Sequence, residues 1–200
     1  MRFEDTRFAC IDFETTGFSP NSSRAIELAI VDVQHGEIGD SWTSLLNPGL
    51  DCDIGAEHIH GINSNWVADA PTFSDVAGDI YQRLDGSVIV AHNVSFDLGF
   101  LYAEMDRCGC LPRGLLFPNW DSRKASVYAP IKPPTRKLSD VADAFSIDIA
   151  NAHQALDDTY AVAEIIAAIT PLVGDDISFD KLFSSPGEPE PTGLFKLRPI

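Results

Sequence analysis

Positive charge is scarce in this sequence. Fourteen Lys and Arg stand against 30 Asp and Glu, a formal net charge of -16. That balance excludes a protein that coats nucleic acid non-specifically, which would be basic. It leaves room for an enzyme that grips a few nucleotides at one local site. Long apolar runs are also missing: none approaches the roughly 18–20 residues needed to span a bilayer. The first residues, Met-Arg-Phe-Glu-Asp, lack the charged-then-apolar pattern of a secretory signal, so a cytoplasmic setting is expected. Of the four cysteines, Cys10, Cys52, Cys108 and Cys110, none belongs to a Cys-x-x-Cys pair, which excludes the common zinc frameworks. Free thiols are expected at all four, with Cys10 buried in an apolar strand. No Ser or Cys stands in a nucleophile motif, and there is no internal repeat.

What is present suits one α/β domain. Hydrophobic residues make up 44% of 200 positions, enough for a sizeable core. Residues 8–13, 25–33 and 38–46 read as three strands, closely spaced as in an antiparallel meander. The period changes after Pro71. Phe73, Val76, Ala77, Ile80, Tyr81 and Leu84 follow helical spacing, with Thr72 or Ser74 as cap and Gly86 past the end. A short strand at 88–91 leads into a helix over 95–105, a strand-to-helix unit of α/β architecture. Helices are also expected over 121–128, 138–145 and 153–169, the last ended by Pro171. Residues 1–174 read as the folded domain. Residues 175–200, which include Ser-Ser-Pro-Gly-Glu-Pro-Glu-Pro-Thr-Gly, read as a tail or linker.

The chemistry concentrates in acids set among apolar residues. Asp12 and Glu14, in Ile-Asp-Phe-Glu-Thr-Thr-Gly, are two apart on a strand and face the same side. Gly17 then lets a ligand approach the backbone. Read alone, the two acids also fit a solvated strand end. Asp97, in Ala-His-Asn-Val-Ser-Phe-Asp, lies near a helix start, where it equally fits an acid that complements the helix dipole. His153 and Asp158 are five apart, about 140° in helical projection. They do not share one face, so His153 belongs on the approach to the helix. Asp157 leaves open which of two adjacent acids points inward. Buried carboxylates are costly unless a cation neutralises them, and oxygen ligands favour hard divalent ions. A neighbouring histidine suits a general base. The set points to metal-assisted cleavage of a phosphodiester.

Taken together over residues 7–170, these motifs resemble the DEDD-type 3′–5′ exonucleases that use a histidine as base, within the ribonuclease-H-like superfamily. Ile59-His60-Gly61-Ile62, Ala70-Pro71-Thr72-Phe73 and Ala91-His92-Asn93 follow the same order. That order looks most like the proofreading epsilon-subunit branch of bacterial replicative polymerases. The resemblance implies a central mixed five-stranded sheet flanked by helices. It also implies two divalent cations, Mg²⁺ or Mn²⁺, held by Asp12, Glu14, Asp97 and Asp158, with His153 taking a proton from water. Thr15, Thr16, Phe18, His60 and Asn93 would bind substrate, with Phe18 as an apolar wedge against terminal bases. His92 and Asn93 fit equally a turn held by hydrogen bonds.

The expected activity is release of nucleoside 5′-monophosphates from a single-stranded or frayed 3′ end of DNA, in proofreading or repair. RNA trimming is the alternative within the class, and a non-catalytic interaction module the alternative outside it. Five basic residues, Arg123, Lys124, Lys132, Arg136 and Lys137, fall within fifteen positions. They read either as a solvated loop or as a phosphate-steering edge. In the tail, Ser178-Phe-Asp-Lys-Leu-Phe183 faintly resembles a sliding-clamp peptide, and Gly193-Leu-Phe-Lys-Leu197 could anchor a polymerase subunit. Either could instead pack on the domain.

Overall fold

The computed structural model describes residues 2–49, 52–55, 57–111, 114–150 and 154–173. His153, the proposed tail and both tail peptides lie outside the described residues. Five strands form one sheet: β1 (Phe8–Thr15), β2 (Ala25–Gln34), β3 (Glu37–Leu45), β4 (Val88–Ala91) and β5 (Asn119–Asp121). Their order across the sheet is β3-β2-β1-β4-β5. The first three form an antiparallel meander; β4 joins β1, and β5 joins β4, in parallel. This is the mixed five-stranded α/β sheet that the resemblance implies.

Alternation along β1 assigns residues to two faces. Phe8 and Cys10 join Val31, Val33, Val88, Val90 and Trp120 in a core closed by α5 (Leu138–Ala144) and α6 (Ala155–Ile169). Ala9, Ile11 and Phe13 join Leu28, Ile30, Ile89 and Ala91 in the other core, closed by α3 (Phe73–Leu84) and α4 (Val94–Arg107). The elements α1 (Glu57–His60) and α2 (Ser64–Ala68) fill the connection ahead of α3. At the start of α3, the Asp75 carboxylate accepts the Thr72 N–H at 2.8 Å and its hydroxyl at 2.6 Å. That satisfies an otherwise orphaned donor at the helix entry.

Three expectations change. The helix expected over 121–128 is a 3₁₀ helix, Ser122–Val127, begun by the Asp121 carboxylate accepting the Arg123 N–H at 2.9 Å. The last helix starts at Ala155, not at His153. Cys108 and Cys110 are joined as a disulfide, while Cys10 and Cys52 are free. Gly109, at φ 68°, turns the chain in the left-handed region past the end of α4. The two Cα atoms come to 5.4 Å, within the usual disulfide range. Among the described residues, no helix is long and apolar enough to cross a membrane.

Candidate active site

The parallel register fixes where the site sits. Cys10 lies opposite Val90. Continuing that register, Asp12 on β1 stands level with His92, just beyond the end of β4. Asp121, the last residue of β5, lies opposite Ala91. Asp12, the His92-Asn93 turn and Asp121 therefore share the carboxyl-end edge of the parallel strands, where open α/β sheets place their ligand crevices.

Asp12 and Glu14 continue the alternation of Phe8 and Cys10, which puts them on the α6 side of β1. Asp158 enters from the first turn of α6. Asp97 enters from the first turn of α4, and its side chain is 2% exposed. The Phe13 N–H donates to Asp97 Oδ1 at 3.2 Å, which locks this carboxylate onto the backbone between the two β1 acids.

The electrostatics follow from that crowding. Burial raises the Asp12 carboxyl well above its ordinary range, and the charges of Asp97, Glu14, Asp158 and Glu27 push it further. Burial, then Glu27 and Asp158, push Glu14 up to about 8. Asp97 is raised by burial, opposed by the backbone N–H groups of Phe13 and its own residue, with Asp121 and Glu14 adding repulsion. The charge of Asp158 acts on both β1 acids.

Two further carboxylates belong to this neighbourhood, and the motifs did not single them out. Glu27 lies directly across from Glu14 on β2. Burial raises it, while the Ala155 N–H and the Thr43 hydroxyl stabilise its charge. It therefore ties the start of α6 to the sheet. A lone acid inside the apolar run Ala-Ile-Glu-Leu-Ala-Ile-Val was the available signal. Asp121 is also buried; burial would raise its carboxyl, but the side chain and backbone of Arg123 and the Asn93 N–H hold it below the ordinary range.

The remaining candidate residues shape the exits from the strands. The Thr15 hydroxyl donates to the Gly17 carbonyl at 2.8 Å, and Thr16 Oγ1 accepts the Arg24 N–H at 2.9 Å. Gly55, at φ 77°, sits so close to Thr16 that an added Cβ would lie 2.3 Å from its carbonyl oxygen. Only glycine allows that approach. Phe18, beyond Gly17, is 87% exposed. His60 is buried and accepts the Ile62 N–H at Nδ1, 3.0 Å away. Asn93 takes the left-handed conformation, φ 79°, at the start of α4.

Whether this site fits divalent cations is a question of donor chemistry. Every charge that raises the Asp12 carboxyl is another carboxylate. An all-oxygen, mutually repelling set, with Asp97 buried and Asp12, Glu14 and Asp158 half-buried, is an environment that hard divalent ions neutralise. Among the described residues no three His, Cys, Asp or Glu side chains are already closed into a ligand set. The fit rests on charge and burial rather than on preformed coordination.

Comparison with known proteins decides the family. The sequence profile of the exonuclease family matches residues 9–166, from β1 into α6. The chain belongs to the exonuclease family. Among this exonuclease's relatives is the PolC-type DNA polymerase III of Clostridium perfringens, 32% identical over 162 residues, which cover 81% of this chain and 11% of that protein. The 3′-5′ exonuclease DinG of Bacillus subtilis is 38% identical over 104 residues, 52% of this chain and 11% of DinG. The chain spans less than a fifth of the length of these relatives. In fold, the exonuclease is similar to Escherichia coli exonuclease I in complex with a dT13 oligonucleotide. That match has a TM-score of 0.73 at 21% identity and covers 82% of this chain and 41% of that one. A 3′-exonuclease that recognises the histone mRNA stem-loop matches with a TM-score of 0.66 at 20% identity, covering 85% of this chain and 66% of that one.

Proposed function

We propose that this chain is a 3′–5′ exonuclease domain that hydrolyses phosphodiesters at a single-stranded or frayed 3′ end of DNA, releasing nucleoside 5′-monophosphates. The observation that carries the reading is the meeting of Asp12, Glu14, Asp97 and Asp158, from three separate elements, at one carboxyl-end edge. In this reading Asp12, Glu14, Asp97 and Asp158 are the carboxylates that would hold two divalent cations. A pair of bound Mg²⁺ or Mn²⁺ ions would supply activation of water and neutralisation of the leaving 3′ oxygen.

The protein's own groups do the rest. His153, two residues before α6, takes the proton of the attacking water. Thr15, Thr16, His60 and Asn93 position the terminal nucleotide, and the exposed Phe18 ring stacks on its base. The epsilon-like order of motifs and the polymerase and DinG relatives support a role in proofreading or repair. Residues 175–200 are read as a tail that engages a polymerase subunit or sliding clamp.

A gel assay tests the activity directly, with 5′-labelled DNA and RNA oligomers, single- and double-stranded, with and without Mn²⁺. The expected result is a metal-dependent ladder shortening from the 3′ end, fastest on single-stranded DNA. A faster RNA ladder would move the reading to RNA trimming. No shortening in any arm would leave a non-catalytic module.

His153→Ala is expected to lower kcat by roughly 10²- to 10⁴-fold, the usual contribution of a positioned base, with a much smaller change in KM. Equal losses in turnover and affinity would remove the base assignment.

A further inference from the structure

Almost every arginine among the described residues is already committed. Arg2 pairs with Glu4 and Asp5, Arg7 with Asp32, Arg24 and Arg107 with Glu104, and Arg123 with Asp121. Arg83 lies over the Trp42 ring, 5.9 Å from its centroid. Lys132, Arg136 and Lys137 differ. All three are exposed, they fall within six positions, and they form no ion pair with any described residue. Their loop, 130–137, joins the 3₁₀ helix to α5.

The loop is held in place. Pro130, Pro133 and Pro134 restrict its backbone, and Pro133 is buried. Thr135 Oγ1 accepts the Lys137 N–H at 3.1 Å, and its hydroxyl bonds the Asp140 carboxylate. The decisive tie is His92. Its Nε2 lies 2.7 Å from the Arg136 carbonyl, and its Nδ1 lies 2.9 Å from Ser122 Oγ. A carbonyl only accepts, so the ring carries its proton on Nε2 and takes the Ser122 hydroxyl at Nδ1. His92 directly follows β4, the neighbour of β1 in the sheet, and lies five residues before Asp97. One imidazole therefore links the free cations to the edge that carries the acids. Val127 and Ile131, 78% and 71% exposed, flank the same stretch. Cationic groups gathered on one held loop match the backbone phosphates of an unpaired strand.

We propose that loop 130–137 is a second nucleic-acid contact, in which Lys132, Arg136 and Lys137 bind backbone phosphates upstream of the 3′-terminal nucleotide while His92 sets the loop's distance from the acids. The proposal rests on the exonuclease reading for its substrate. The overall charge of -16 does not oppose it, because screening confines charge effects to about 8–10 Å at physiological salt. A prearranged loop also loses little freedom on binding.

The test compares the full chain with its Lys132→Gln/Arg136→Gln/Lys137→Gln variant. Binding of a fluorescent single-stranded DNA 20-mer is followed by anisotropy in EDTA across a salt series. Hydrolysis of the p-nitrophenyl ester of thymidine 5′-monophosphate is measured with Mn²⁺. The variant is expected to bind the 20-mer at least about tenfold more weakly at 0.1 M salt. The slope of log K against log salt should fall by about 2, as for three lost single-strand phosphate contacts. Ester hydrolysis should be unchanged. Unaltered 20-mer affinity and slope would overturn the proposal. So would an equal loss toward a polyglutamate peptide, which would make the loop a general anion surface. Failure of the wild type to cleave the ester or any oligomer would instead strike the exonuclease reading, and the anisotropy arm would still judge the loop.

Discussion

Asp12→Asn is expected to reduce metal-dependent turnover by at least about 10³-fold while leaving the fold intact. The substitution keeps the volume and removes only the charge. Losing an outer partner of a metal ligand typically costs about 10- to 100-fold. On the proposed reading Asp12 is a direct ligand, crowded by Asp97, Glu14 and Asp158, so the loss should be larger.

A second readout separates a ligand from a merely structural acid. In the absence of cation these carboxylates repel one another, and removing one charge should leave the melting temperature unchanged or raised. Mn²⁺ should then raise the melting temperature of the wild type far more than that of the variant, since a ligand that binds only the folded state stabilises it. The effect depends on pH in a fixed direction. Glu14 ionises near 4.5 when unfolded and is pushed up to about 8 when folded. Between those values the folded state holds the extra proton, so metal-free stability falls as pH rises from about 4.5 to about 8. Cations compete with that proton. The Mn²⁺-induced shift should therefore be larger at pH 8 than at pH 5. A variant with undiminished turnover, or with the full Mn²⁺ shift, would remove Asp12 from the ligand set.

Much of this architecture was legible in the residues because the signals are periodic. The Phe73-to-Leu84 spacing repeats over three turns, and α3 runs over Phe73–Leu84. The apolar run before Gln34 and the four residues Val88–Ala91 form strands as read. Periodicity fails where elements are shorter than their own repeat. Asn119–Asp121 is a three-residue strand with no apolar run, and α1 and α2 span four and five residues. None of the three has a pattern to find; the fifth strand was anticipated only through the family resemblance. The disulfide was missed for a related reason. Spacing alone does not reveal that Gly109 turns the chain back on itself.

Within the site, the strand positions of Asp12 and Glu14 follow from a period of two. Helical projection leaves the choice between Asp157 and Asp158 open, because it depends on how α6 is rotated against β1 and β2; only the family resemblance implies Asp158. Glu27 and Asp121 were passed over because each is a lone acid without a motif; only the sheet register brings them to Glu14 and Asp97.

The largest expected loss of stability lies beside the site, at Glu104. This α4 carboxylate is 1% exposed and accepts from three residues. Arg24 reaches it with Nε at 2.9 Å and Nη2 at 3.0 Å, Arg107 Nη1 at 3.0 Å, and the Ala25 N–H at 3.0 Å. The Glu104 carboxylate in turn holds the Arg24 guanidinium above its ordinary range. Glu104→Ala would leave two guanidinium groups and a backbone donor without their acceptor, and a cavity where the carboxylate stood. Removing one partner of a fully buried ion pair typically costs about 3–5 kcal/mol; Arg24 and Arg107 are 31% and 29% exposed, so the loss should lie toward the lower end, on the order of 10 °C in melting temperature for a domain of this size.

The consequence should reach the site by a defined route. At the exit of β1 the Thr16 N–H donates to the Arg24 carbonyl and the Arg24 N–H to Thr16 Oγ1, Arg24 Nη1 bonds the Pro48 carbonyl at 2.6 Å, and Arg107 bonds the Pro20 carbonyl. Loosening them frees the segment 16–24 that carries Phe18, while Asp12, Glu14 and Asp158 stay on their own elements. Glu104→Ala should therefore keep a Mn²⁺-dependent rise in melting temperature, which Asp12→Asn should largely lose, and should raise KM more than it lowers kcat. Urea unfolding measures the first effect. A loss below about 1 kcal/mol would mean that Glu104 does not hold these elements together. Arg24→Ala should destabilise in the same way, and the double variant should cost less than the two single losses added, because both remove the same interaction.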